Sequence, residues 1–184
     1  MNIIAKILIA FLLFFAAVSA VEAKEKIAGQ SSQLTFESTI KVEDMRVEKL
    51  RFYLEKHNSP LASHAEEFVK IADKYELGEN WCLVPAIAGV ESTFGKFTPK
   101  NSYNAWGWGI PTGARSGIGF DGWEDGIETV TAGLKTKYID RGADTLPEMQ
   151  RIYAPPSHTW AKNVRFFMDK IEETEVPATL ALSL

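Results

Sequence analysis

Apolar residues recur along this chain at the three- and four-residue spacing that places them on one face of a helix, and the pattern predicts five or six helices. Val47, Leu50 and Leu54 form the first stripe, over Glu43 to His57, with Asn58 as a stop. Ser59 and Pro60 have the chemistry of an N-cap and a first helical residue. They open a second helix, whose stripe is Leu61, Ala65, Phe68, Ala72 and Tyr75, running to Gly78. Glu79 to Leu83 reads as an entry turn into a short central helix that carries Pro85 in its first turn and extends toward Gly95. A later helix begins near Gly122, where Asp121 and Glu124 have the spacing of a capping box, and buries Ile127, Val130, Leu134 and Tyr138. A short helical turn spans Leu146 to Tyr153. After Pro155 and Pro156, Ser157 or Thr159 caps a last helix with Trp160, Val164, Phe167, Met168 and Ile171 inward.

The stretch from Phe97 to Gly122 breaks the pattern. Six glycines from Gly107 onward, with Pro99 and Pro111, exclude a regular helix and predict a loop region or a small irregular β hairpin. The expected fold class is therefore mainly α: a helical domain, without internal repeats, interrupted by one Gly-rich and aromatic-rich insertion after its central helix.

The two ends read differently. Residues 1–23 combine Lys6, an apolar run from Ile7 to Val18 and small-residue exits ending at Ala20 and Ala23, the pattern of a secretory signal peptide. The run is shorter than the roughly 20 residues a spanning helix needs, so membrane attachment is expected only through an uncleaved signal. Residues 24–40 read as a polar linker with a short strand at Leu34 to Phe36, residues 41–174 as one domain, and residues 175–184 as a tail without assignable period. An exported product is expected, extracellular, periplasmic or wall-associated. The single Cys82 leaves it without an internal disulfide, and its setting between Trp81 and Leu83 is that of a small core residue. A formal net charge of −4 with mixed signs offers no basic face for nucleic acid. Five Trp and eleven Phe supply aromatic faces for a core or for stacking on sugar rings.

Candidate chemistry centres on Glu91. On the central helix it shares a stripe with Val84, Ile87 and Ala88, and with Gly95 as the C′ residue it would lie near the negative end of the helix dipole. Both settings raise a carboxyl pKa, which is what a general acid working near neutral pH requires. An ion pair with a neighbouring helix is the structural alternative. His57, His64 and His158 do not form a zinc-binding H-E-x-x-H pattern, there is no G-x-S-x-G elbow, and Gly107-x-Gly109 leads to Pro111 rather than to a phosphate-binding helix.

What remains is an ordered set: Glu91-Ser92-Thr93-Phe94-Gly95-Lys96, then Tyr103-Asn104-Ala105-Trp106-Gly107-Trp108-Gly109, then Phe120-Asp121-Gly122-Trp123-Glu124, then Tyr138, and finally Tyr153-Ala154. This order, over about Ser59 to Ile171, resembles the lysozyme-like superfamily of bacterial cell-wall glycosidases, most closely its glucosaminidase (autolysin) branch and the lytic transglycosylases. The resemblance implies a lysozyme-like α+β domain with a central helix ending in the catalytic Glu, and a glycosidase that needs no metal or cofactor. Its partner would be peptidoglycan or a related amino-sugar glycan, and the chain a monomer. It implies that Glu91 protonates the glycosidic oxygen, that Ser92 supports it, and that Asn104, Trp106, Gly107 and Trp108 line the cleft with Tyr153 across from the acid. Trp106 and Trp108, in a loop with no helical period to bury them, are expected to stack on sugar, and Trp123 and Trp160 to pack the core. Asp121, Glu124 and Asp125 are the candidates for a second carboxylate, although a helix cap explains the first two. The chain lacks a Gly-Leu-Met-Gln segment after the acid and matches Tyr-Asn-Ala-Gly only partly at Tyr153, which puts hydrolysis ahead of transglycosylation. A wall-binding domain without turnover and a chitinase-like activity are the rival expectations.

Overall fold

Six helices account for most of residues 45–109 and 117–177, the part of the chain that the computed structural model describes; α1 spans 45–56. The others are α2 (Ala65–Lys74), α3 (Leu83–Ser92), α4 (Trp123–Lys137), α5 (Leu146–Tyr153) and α6 (Trp160–Glu172). Among the described residues there is no strand, so the loop alternative holds for 97–109 and 117–122, and the domain is mainly helical. The proposed signal peptide, the linker with its short strand, and the end of the tail lie outside the described residues.

Helix α3 is the centre of the packing. Every residue from Leu83 to Gly89 is buried, which is the condition of a helix apolar all round. Helix α6 packs along it, α2 lies on α4, and α5 lies on α6. Close approach needs small side chains. A Cβ on Gly89 would lie 2.6 Å from Cε1 of Phe94 and 3.0 Å from Cδ2 of Phe167. The predicted stripes bury as expected: Leu50 and Leu54, Phe68 and Ala72, Val130 and Leu134, and Val164, Met168 and Ile171 all meet in one core. Cys82 is wholly enclosed in it, where burial pushes its thiol pKa far up and makes it inert.

Two helix starts differ from expectation, and a third, at α6, is decided between the two expected caps. Helix α2 begins later than Pro60, after a 3₁₀ turn at Ala62–His64, and the Ser59 hydroxyl has a tertiary task as well as a local one. It accepts from the backbone N–H of Leu61 at 3.0 Å and donates to the carbonyl of Phe94 at 2.8 Å, tying this start to the exit of α3. At α4 the expected box of Asp121 and Glu124 does not form. Gly122 is the N-cap, the Asp125 carboxylate reaches back to the N–H of Asp121 at 3.0 Å, and Glu124 faces His64 at 3.4 Å. At α6 the hydroxyl of Ser157, rather than that of Thr159, accepts from the N–H of Trp160 at 3.0 Å.

Candidate functional site

Helix α3 ends in an unusual turn. Gly95 was the expected left-handed residue, yet Thr93, Phe94 and Gly95 all have positive φ, of 51°, 59° and 79°. Only glycine takes that conformation freely, and a β-branched Thr there is strained. Packing and hydrogen bonds impose it. The N–H of Phe94 returns to the carbonyl of Ala88 at 2.9 Å, and the N–H of Phe97 to that of Ser92 at 3.0 Å. The Phe94 ring is buried edge-on against Tyr53, His57 and Phe167.

Ser92 is what binds this turn together. Its hydroxyl accepts from the N–H of Gly95 at 2.8 Å and lies 2.7 Å from the carbonyl of Ala105 and 3.0 Å from that of Ala88, either of which can take its single hydrogen. At 4 % exposure the side chain is not open to a ligand, and its support of Glu91 is structural, through the backbone it holds. It also ties the loop carrying Ala105 to the end of the helix that carries Glu91.

Glu91 stands where α3 emerges from the core. The residue as a whole is exposed, yet its carboxyl is shielded enough by the surrounding protein to be partly desolvated. The indole N–H of Trp160 donates to Oε1 at 2.8 Å. Burial raises the Glu91 pKa above the ordinary carboxylate value, and the Trp160 bond, which favours the ionised form, opposes the rise. Among the described residues no second carboxylate takes part in that balance. Asp121 is exposed, and Glu124, also exposed, is turned to His64 at the start of α2.

The loop that follows is organised by Asn104. Its Oδ1 accepts from the N–H groups of Trp106 (3.3 Å) and Trp108 (3.0 Å), while Nδ2 donates to the carbonyls of Trp108 (2.8 Å) and Ile118 (2.9 Å). With its polar atoms used, buried Asn104 shapes the cleft rather than presenting an amide to it. The two tryptophans have opposite fates. Trp106 is fully buried, its Nε1 donating to the carbonyl of Val84 at 3.0 Å and its ring packed edge-on against Phe68 and Phe120, so the expected stacking on sugar is corrected to core packing. Trp108 stays half-buried. The difference is made by α4, where Gly126 receives Trp106 and Gly133 receives Trp108. Gly107 turns the chain between them at φ 61°.

Trp108, Tyr138 and Tyr153 form an aromatic wall, each ring about 6 Å from the next, at 5.9 Å, 6.2 Å and 6.2 Å. They line a groove of about 310 Å³ with Gly107, Ile118 and Lys137. Tyr153 connects groove and acid. Its hydroxyl donates to the carbonyl of Trp106, and its ring stacks on Trp160 at 5.0 Å. Its phenol pKa is pushed well up by burial first, then by the nearby Glu91 carboxylate and Tyr138. The structure thus brings Glu91, Tyr153, Gly107 and Trp108 into one region.

Sequence reasoning missed Trp160. At 3 % exposure it is the core residue that the α6 stripe predicted and also the hydrogen-bond partner of the candidate acid; its apolar position gave no sign of the second role. Glu91 lines neither the groove nor two larger hollows, of about 420 Å³ beside Leu146 and Arg165 and about 590 Å³ beside Trp81 and Glu172; its link to the groove runs through Trp160 and Tyr153. Comparisons with protein-family models, curated proteins and solved structures returned no match.

Proposed function

We propose that the chain is an exported, lysozyme-like glycosidase that cleaves β-1,4 linkages between the amino sugars of peptidoglycan, with Glu91 as its general acid. The observation that carries this reading is the setting of Glu91: a carboxyl at the exit of a buried helix, its pKa raised by burial, linked through Trp160 and Tyr153 to an aromatic groove. A raised pKa shifts the range in which the proton is held upward, toward neutral pH, the direction a general acid requires. The groove offers Trp108, Tyr138 and Tyr153 as the apolar faces on which sugar rings pack.

In this mechanism protonated Glu91 delivers its hydrogen to the glycosidic oxygen as the C1–O bond breaks. The carboxylate left behind accepts the Trp160 N–H more strongly than the acid did, because a bond to an ionised acceptor is stronger. The cationic C1 is then captured. Among the described residues no second carboxylate contributes at Glu91, and in this reading capture falls to groups that the substrate or solvent supplies, namely the acetamido oxygen of the sugar followed by water.

A second reading is lytic transglycosylation, in which the sugar's own hydroxyl attacks C1. The placement of Tyr153 next to a lone Glu91 favours it. Mass spectrometry of fragments released from purified peptidoglycan separates the two. Reducing ends support hydrolysis and anhydro ends support transglycosylation. Retained binding to insoluble wall without any fragment would instead favour a non-catalytic glycan-binding module.

A further inference from the structure

Among the described residues that line the groove, Lys137 is the charged one. Lys137, in the last turn of α4, holds its Nζ 5.9 Å from the ring centroid of Trp108 and lines the groove beside Tyr138. Its neighbour Lys135 is engaged with Asp140 at 2.9 Å, whereas among the described residues Lys137 has no ion pair. An ammonium over the face of an indole is attracted by the ring's negative face, yet most of its hydrogen-bonding capacity stays open. A sugar lying on Trp108 would thus present its substituents to a fixed positive charge.

The geometry points to Lys137 as a specificity residue that selects a glycan bearing a carboxylate over a neutral one at the Trp108 position. This rests on the glycosidase reading for its substrate class, since it takes the groove to be the glycan-binding surface. Peptidoglycan can supply the carboxylate from two sources: the lactyl ether of a strand stripped of peptide, or the stem peptide itself, where the lactyl group is amidated. A chito-oligosaccharide has the same amino-sugar backbone and neither carboxylate.

The test measures the affinity of the full-length Glu91→Gln protein, which should bind without turnover, for three soluble glycans: chito-oligosaccharide, peptide-free peptidoglycan strands and peptide-bearing strands. Lys137→Met in that background should weaken binding to a carboxylated strand about 2- to 5-fold relative to chito-oligosaccharide, the range an exposed ion pair provides. Lys137→Arg should restore the preference, and added salt should shrink it. A loss confined to peptide-free strands assigns the lactyl carboxylate, and one confined to peptide-bearing strands assigns the stem. An unchanged affinity ratio in Lys137→Met overturns the proposal, while cleavage by the unmutated protein would leave the glycosidase reading standing. Charge-selective binding without any cleavage by the unmutated protein would do the reverse. No binding to any of the three overturns the proposal as well.

Discussion

Trp160 and Glu91, 69 residues apart in sequence, meet through one hydrogen bond of 2.8 Å from the indole N–H to Oε1. The bond fixes which carboxyl oxygen is an acceptor and leaves Oε2 to carry the proton. Because it favours the ionised form, it moderates the pKa rise that burial produces. Replacing Trp160 with Phe removes the donor and keeps an aromatic ring. The alkaline limb of the pH–activity profile should then move to higher pH, and turnover should fall by about 10- to 100-fold, the worth of a hydrogen bond to a charged group. A profile that drops in height without moving would mean that Trp160 only packs.

Glu91 also makes stability depend on pH. Its folded-state pKa is raised, so between the ordinary carboxyl value, about 4.3, and the raised one the folded protein holds a proton that the unfolded chain releases. Stability from this group is fully present below that window and is lost as pH rises through it. Glu91→Gln removes the titration. Thermal melts should find the variant more stable than the unmutated protein at neutral pH, with the advantage shrinking toward acid pH.

Two glycines on one face of α4, Gly126 and Gly133, decide where the loop tryptophans go. An added Cβ at Gly133 would lie 2.3 Å from Cζ2 of Trp108, and one at Gly126 would lie 2.7 Å from Cζ3 of Trp106 and 2.9 Å from Cδ2 of Phe120. Alanine inside a helix ordinarily stabilises by about 0.5–1 kcal/mol over glycine. Here the sign should reverse. Gly126→Ala should cost about 1–3 kcal/mol in chemical denaturation, because its neighbours are core. Gly133→Ala should displace half-buried Trp108 and weaken glycan binding with a smaller loss of stability.

Much of this fold was legible because burial enforces periodicity. Leu50 with Leu54, and Val164 with Met168 and Ile171, announce their faces in any helical reading. The site was legible to a lesser depth. Periodicity placed Glu91 on a stripe, whereas α3 is buried all round and Glu91 marks where it surfaces. Trp106 and Trp108 are two residues apart in one loop, and nothing local separates them, since their fates are set by glycines some 20 and 25 residues later. The left-handed run at Thr93 and Phe94 runs against local preference and exists because Ser92, Ser59 and the Phe94 pocket hold it.

That turn gives its own prediction. Ser92→Ala would leave the N–H of Gly95 without its partner in a buried place and should cost about 1–3 kcal/mol. Thr93→Gly, which relieves a β-branched residue at φ 51°, should stabilise or leave stability unchanged despite glycine's flexibility. Equilibrium denaturation of the two variants checks the pair, and a destabilised Thr93→Gly would show that the turn is not strained at that residue.

The central claim is that the Glu91 carboxyl delivers the proton that breaks the glycosidic bond. Turnover of purified peptidoglycan by the unmutated protein and by Glu91→Gln tests it most directly, with wall binding and helical content measured on both. Fragment release that falls by orders of magnitude in the variant, while folding and wall binding are retained, is the predicted result. Release at a comparable rate from Glu91→Gln would contradict the account.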